Sequence, residues 1–309
     1  VQTCALPICK KLAELAAMNA SAAHVRIFSD DGSCISDALV MRRALEYVKS
    51  FNGIIAQHAQ DPRLTEGAEV NEGVISSTLG LKGWPAVAEE AIIARDVLLA
   101  EHVNSQLHIC HISTAGSVEI VRWAKSRGIS VTAEVTPHHL LLEDELTRSY
   151  DPVFKVNPPL RNRRDVQALR EGVADGTIDI IATDHAPHPS ERKECEWSAA
   201  SFGMVGLETS LSVSFLALVQ SGLMTLSSLM EKMASKPASI AGYEGHGYLK
   251  VDALANFALI DLSKEWKVEK TALKSKSKNT PFQGMELPVS VRRSEEHTSE
   301  LQSQFRISY

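Results

Sequence analysis

The chain has 309 residues, 44% of them hydrophobic and 23% charged, with a formal net charge of −6. That is room for one large α/β domain with a small appendage, and the acidic balance gives no reason to expect nucleic acid or an anionic membrane as partner. No apolar stretch approaches the ~20 residues of a membrane span, and the five cysteines (Cys4, Cys9, Cys34, Cys110, Cys195) fit reduced cytoplasmic thiols better than a disulfide framework.

The two ends stand apart from the rest. Val1 to Cys9 has no basic region before an apolar run, so it does not read as a signal peptide. Ser294 to Tyr309 shows neither helical nor strand periodicity. Segments 1–9 and 294–309 are read as non-native sequence, such as translated adaptor, leaving 10–293 as the informative part. Within it, strand-like runs alternate with amphipathic stretches, the βαβ pattern of a parallel sheet. Val25–Phe28 is a strand followed by the helix Met41–Lys49, and Gly53–Ala56 is the next strand. The long helix Glu89–His102 leads to the strand Gln106–Cys110, and the helix Ser117–Arg127, closed by Gly128, leads to the strand Ile129–Val135. The helix Asp165–Ala174 and the strand Ile178–Ala182 follow, then helices over Leu207–Leu218 and Leu226–Met233. Past Gly242, Gly247–Val251 and Ala255–Asp261 read as strands with no helix between them. The fold class is α/β: a partial TIM-like (β/α)8 barrel over 10–241, comprising about its last five β/α units. Part of a small β-sandwich module over 242–293 completes it.

Polar residues gather where the strands end. In order they are Asp31, His58, His111, Asn157, Asp184 and His188. In a parallel barrel the C-terminal strand ends carry the chemistry, because the βα loops converge there. Imidazoles and carboxylates at successive strand ends form a donor set suited to zinc. One such histidine is ordinarily a surface or core residue, and an Asp-His pair can simply cap a helix. It is the recurrence at several strands that points to a site. His24, His102, His108 and His246 lack the placement. His108 reads as packed or paired inside its strand, and His138 and His139 as part of a turn after Pro137.

The segments Phe28-Ser-Asp-Asp-Gly32, Ala56-Gln-His58, His108-Ile-Cys-His-Ile-Ser-Thr114 and Glu134-Val-Thr-Pro-His-His139 come first in chain order. Val156-Asn-Pro-Pro-Leu-Arg161, Ala182-Thr-Asp-His-Ala-Pro-His188, Phe202-Gly-Met-Val-Gly-Leu-Glu208 and Lys278-Asn-Thr-Pro-Phe282 follow. With these the chain resembles the bacterial dihydroorotases of the amidohydrolase superfamily. The resemblance implies two Zn2+ ions per intact site, with Asp31 bridging or adjoining them and His58 and His111 on the second ion. It implies Asp184 as ligand of the first ion and catalytic proton shuttle. Asn157, His188 and backbone groups near Phe202 and Gly203 would hold the substrate. The implied reaction interconverts dihydroorotate and N-carbamoyl-aspartate in cytoplasmic pyrimidine synthesis. A homodimer and association with aspartate transcarbamoylase are compatible with the resemblance, and the residues fix neither.

Three departures matter. Ala59-Gln60 stand where the family commonly has Cys-Glu, and Ser201 replaces a proline before Phe202. The family's His-x-His-x-Arg motif at the first barrel strand has no counterpart between Val1 and Phe28. On this reading the chain lacks the first three β/α units, leaves the Val25–Phe28 edge unpaired, and is inactive and poorly soluble alone. Other readings are an allantoinase, a dihydropyrimidinase or hydantoinase, and a non-catalytic dihydroorotase-like scaffold.

Overall fold

In a computed structural model, residues 3–4, 12–243, 245–251 and 256–295 are described. The segments read as non-native lie outside these residues, apart from Thr3–Cys4 and Ser294–Glu295. In chain order the first elements are β1 (Thr3–Cys4), α1 (Leu15–Ala20), β2 (Ile27–Ser29), α2 (Ala38–Lys49) and β3 (Ile54–Gln57). Next come β4 (Val70–Asn71), α3 (Val74–Leu79), β5 (Gly83–Trp84), α4 (Val87–Val103), β6 (Gln106–Ile109), α5 (Ala115–Ser126) and β7 (Val131–Val135). Then follow α6 (Arg163–Ala174), β8 (Ile180–Ile181), α7 (Ser210–Ser214), α8 (Leu226–Met230) and α9 (Lys236–Ala241). The last strands are β9 (Phe257–Asp261), β10 (Trp266–Lys267), β11 (Glu286–Leu287) and β12 (Ser290–Glu295).

Six strands form one parallel sheet in the order β1-β2-β3-β6-β7-β8. Helices α2, α4, α5 and α6 intervene between the strands and cover one face, so the strands are apolar runs rather than alternating ones. Ile54–Gln57 is buried at every position. The helix starts are fixed locally. Asp37 caps α2 by accepting from the Leu39 and Val40 N–H groups. Thr114 caps α5 by accepting from Ser117 N–H, and Asn162 caps α6. Beyond α5, Gly128 takes φ +75° as the expected helix-ending residue. Ile55, Leu107, Ile109, Ala133 and Val135 from the sheet pack on Leu45, Val97, Val121 and Leu169 from the helices. Each such large side chain contributes roughly 1.5–3 kcal/mol.

The sequence places these strands and helices correctly to within a few residues, and four differences stand out. The β2 edge, expected to be open, carries β1 through Thr3↔Phe28 and Cys4↔Ser29. Strands β4 and β5 form a parallel pair that no periodicity announced, each being only two residues long. Gly247–Val251, expected as a strand, forms none. Leu249 and Val251 there are 83% and 85% exposed, so no opposing face rewards extension. The β module is instead two antiparallel pairs, β9 with β12 and β10 with β11. It is not detached. Val268, Phe282 and Leu287 share a second core with Val156, Leu160, Met204 and Val213.

Candidate metal centre

The turns after β2, β3 and β6 bring three side chains together. His58 Nδ1 lies 2.8 Å from His111 Nε2, and the Asp31 carboxylate is 3.8 Å from the first and 3.5 Å from the second. One donor atom from each residue falls within 4.8 Å of the other two. Both imidazoles are buried, and their rings meet edge to face at 4.6 Å.

This convergence costs backbone strain. His111 sits at φ +32° and Asp184 at φ +45°, a region that side-chain-bearing residues seldom occupy. The strain at His111 is opposed from below. Glu134 Oε1 accepts from the His111 N–H at 3.4 Å, while its other oxygen pairs with His108 Nε2 at 3.0 Å. Thr132 holds the far side of the His108 ring at 2.7 Å, so His108 is paired inside the sheet, as its place in the strand implies. His108, Cys110 and Glu134 make a second group with metal-ligand spacing, of which His108 and Glu134 are already engaged in these contacts.

The electrostatics describe a site that accommodates positive charge. Burial works against a charged His111, yet the Asp31 hydrogen bond and the Asp184, Glu134 and Asp31 carboxylates prevail and push it up to about 9. Burial and the neighbouring His111 charge push His58 down to about 4. The His111 hydrogen bond holds the Asp31 carboxyl below the usual range. Asp184 is pushed up, by burial first, with Asp31 and Glu134 adding and His111 opposing. Asp184 is thus close enough to feel Asp31 and His111, though it is not among the three clustered donors.

The other expected residues lie outside the three-residue cluster. Asn157 donates to Gln60 Oε1 at 3.0 Å, and its own Oδ1 is buried without a hydrogen-bond partner. His188 Nε2 is 2.8 Å from the Phe202 carbonyl oxygen. Gly203, at φ +122°, lies so close that a Cβ there would meet Ala186 Cβ at 2.6 Å and His188 Nε2 at 3.0 Å. Histidines 138 and 139 fall in the turn after Pro137. His139 is tied to Thr136 Oγ1 and Pro158 O, while His138 Nε2 is buried without a hydrogen-bond partner.

Residues 5–117 match the family described as Dihydro-orotase-like. A dihydroorotase of Streptomyces coelicolor is 66% identical over 282 residues, which cover 91% of this chain and 66% of that protein. A dihydroorotase of Leifsonia xyli is 59% identical over 279 residues, covering 90% of this chain and 64% of that protein. The chain belongs to the dihydroorotase-like family. It spans just under two thirds of the length of these relatives. Among solved structures, L-hydantoinase (dihydropyrimidinase) from Arthrobacter aurescens aligns with a TM-score of 0.77 at 26% identity, over 87% of this chain and 63% of that one. Dihydropyrimidinase from Brevibacillus agri gives 0.77 at 20% identity, over 88% of this chain and 62% of that one, a likeness of fold alone. The parallel α/β architecture of this chain is therefore similar to part of the barrels of these enzymes.

Several residues that hold these segments in place carry no role in the sequence reading. Asn279 accepts from His188 N–H and donates to Ala186 O and Gly203 O, latching the loop that bears His188. It lies in the Lys278–Phe282 segment, so a signal was present without an assignable role. Lys155, buried, donates to Trp197 O and Ser198 O, with its ammonium 4.7 Å from the Phe202 ring centre. Lys193 donates to Lys155 O and Ser201 O, and burial together with the Lys155 charge pushes it down to about 8. Nothing in a sequence marks lysines that will turn inward.

Proposed function

We propose that the chain is part of a zinc-dependent dihydroorotase, which hydrolyses the ring amide of (S)-dihydroorotate to N-carbamoyl-L-aspartate and runs the reverse cyclisation. The observation that carries this reading is the convergence of Asp31, His58 Nδ1 and His111 Nε2 within 4.8 Å at the ends of neighbouring strands. Two nitrogens and a carboxylate oxygen suit a borderline cation such as Zn2+, so the residues fit the group. When bound, zinc lowers the pKa of a water towards neutrality and polarises the amide carbonyl.

Asp184 is the proton carrier in this reading. Burial raises its carboxyl towards the working pH, which suits a group that must accept a proton and return it to the leaving ring nitrogen. Asn157 offers an unpaired Oδ1 to a ring N–H. The His188 loop, tied down at Phe202 and Asn279, would supply the remaining contacts to the substrate. With this reaction go a place in pyrimidine biosynthesis and a cytoplasmic setting, in keeping with Cys34, Cys110 and Cys195 not being joined in disulfides among the described residues. Among the described residues no helix is long and apolar enough to cross a membrane.

The test is direct. The chain, and the same chain extended to the length of its relatives, are titrated with Zn2+ and assayed for ring opening of dihydroorotate, hydantoin and dihydrouracil. Zinc-dependent turnover of dihydroorotate in preference to the other two rings is expected. Preference for hydantoin or dihydrouracil would overturn the substrate, and turnover unaffected by metal removal would overturn the site.

A further inference from the structure

Gln60 stands where two parts of the site meet. Its side-chain oxygen lies 2.8 Å from His58 Nε2 and 3.0 Å from Asn157 Nδ2. Its amide nitrogen donates to Thr65 Oγ1 at 2.9 Å, and Thr65 in turn donates to the Asp61 carbonyl. The carboxamide is therefore held in one orientation, oxygen towards the site and nitrogen towards the loop. An acceptor facing His58 Nε2 requires that nitrogen to carry the hydrogen. The lone pair is then left on Nδ1, the atom that faces Asp31 and His111. A histidine that ligates a metal through one ring nitrogen characteristically donates its other N–H to such an acceptor, which fixes tautomer and ring angle together.

Resting on the metal-centre reading above, we propose that Gln60 is a positioning residue with two tasks at one oxygen atom. It holds His58 in the Nε2–H tautomer, with Nδ1 aimed at the cation, and it couples that ligand to Asn157 on the substrate side. Because the atom is shared, a pull on Asn157 by a bound ring is transmitted to His58 through a single acceptor. A carboxylate at this position supplies the same acceptor with a charge added. Only an apolar side chain removes it.

The test uses Zn2+ competition against a chromophoric chelator, together with imidazole nitrogen NMR of His58, on the metal-free and zinc-loaded chain. Gln60→Leu is expected to weaken Zn2+ binding roughly 10- to 100-fold and to give a mixed His58 tautomer. Gln60→Glu is expected to retain Zn2+ affinity and the Nε2–H signal. His111→Ala serves as the control for the site itself. If Gln60→Leu binds Zn2+ within twofold of the parent while His111→Ala loses it, the role of Gln60 is overturned and the centre stands. If His111→Ala also keeps its zinc, the centre itself is wrong. Should Gln60→Leu fail to fold, an Nδ1–H tautomer in the parent chain, or equal weakening by Gln60→Glu, overturns the proposal.

Discussion

The two walls of the site are built by different means. On the β2, β3 and β6 side, Asp31, His58 and His111 sit within two residues of a strand end, so the parallel ladder aims them. On the β7 and β8 side, Asn157 lies 22 positions past Val135, and Phe202 and Gly203 lie 21 and 22 past Ile181. Ladder geometry cannot reach that far. Side chains hold these loops: Gln60 on Asn157, Asn279 on the His188 loop, Lys155 on the segment before Phe202, and Lys193 from within that same loop. A ligand cluster tolerates little positional error and is fixed by backbone pairing. The side proposed to hold the substrate is fixed by hydrogen bonds that can be removed one at a time.

That contrast can be broken by mutation, and the largest effect should come from the ladder side. His111→Ala removes one of three clustered donors and should weaken Zn2+ binding at least about 100-fold while leaving the far-ultraviolet circular dichroism intact. Zinc retained at parent affinity would place the metal elsewhere. Gly203→Ala should follow. A side chain at φ +122° is strained by roughly 1–3 kcal/mol, and the new Cβ presses on Ala186 and His188. The KM for the proposed substrate dihydroorotate should rise about tenfold in the chain extended to the length of its relatives with Zn2+ affinity unchanged, and a zinc loss of similar size would show that the two walls are not separable.

Asn279→Ala should be milder. It deletes the acceptor for His188 N–H and the donor to Ala186 O and Gly203 O, a loss of about 1–3 kcal/mol in denaturant unfolding, again without loss of zinc affinity. Unchanged stability would mean that the loop is held by its lysines alone.

The smallest effect concerns the loop of Asp31. Gln57, one residue before His58, bonds Ile35 and the buried Asp96. Burial pushes Asp96 up from 3.8 to about 6, against the Arg95 charge. Between those values the folded chain holds the proton more tightly than the unfolded one. This contribution to stability is therefore full below pH ~4, declines as pH rises, and is gone above about pH 6. Unfolding midpoints at pH 4.5 and 7 should differ more in the parent than in Asp96→Asn. Equal differences in both proteins would remove Asp96 from the account.

Much of the ladder side was legible in the sequence. Apolar runs at Ile54–Ala56, Leu107–Ile109 and Ile178–Ile181 can only be buried strands between amphipathic helices, and polar residues immediately after them must emerge at one edge of a parallel sheet. Adjacency in sequence therefore translated into adjacency in space for Asp31, His58 and His111. Motif resemblance supplied Phe202 and Gly203; Asn157 and His188, read in the sequence as strand-end residues, lie instead in the long loops after β7 and β8, where no periodicity could place them. The strand expected at Gly247–Val251 failed because extended propensity means little without a face to cover it.

The sequence by itself determined the parallel α/β architecture, the family and the order of the polar strand ends, because burial periods and strand-end placement are local properties of a chain. Only the tertiary structure decided which atoms meet. It turned His58 Nδ1 rather than Nε2 towards His111, put the Gln60 oxygen between His58 and Asn157, and drove the ammonium groups of Lys155 and Lys193 onto backbone carbonyls. It also brought Asn279 to a histidine 91 residues earlier. Most of those choices are hydrogen bonds between segments remote in sequence, and the local ones, His58 with Gln60 and Lys193 with Ser201, depend on loop conformations that packing sets. Their partners are set by packing, and packing exists only once the chain has folded.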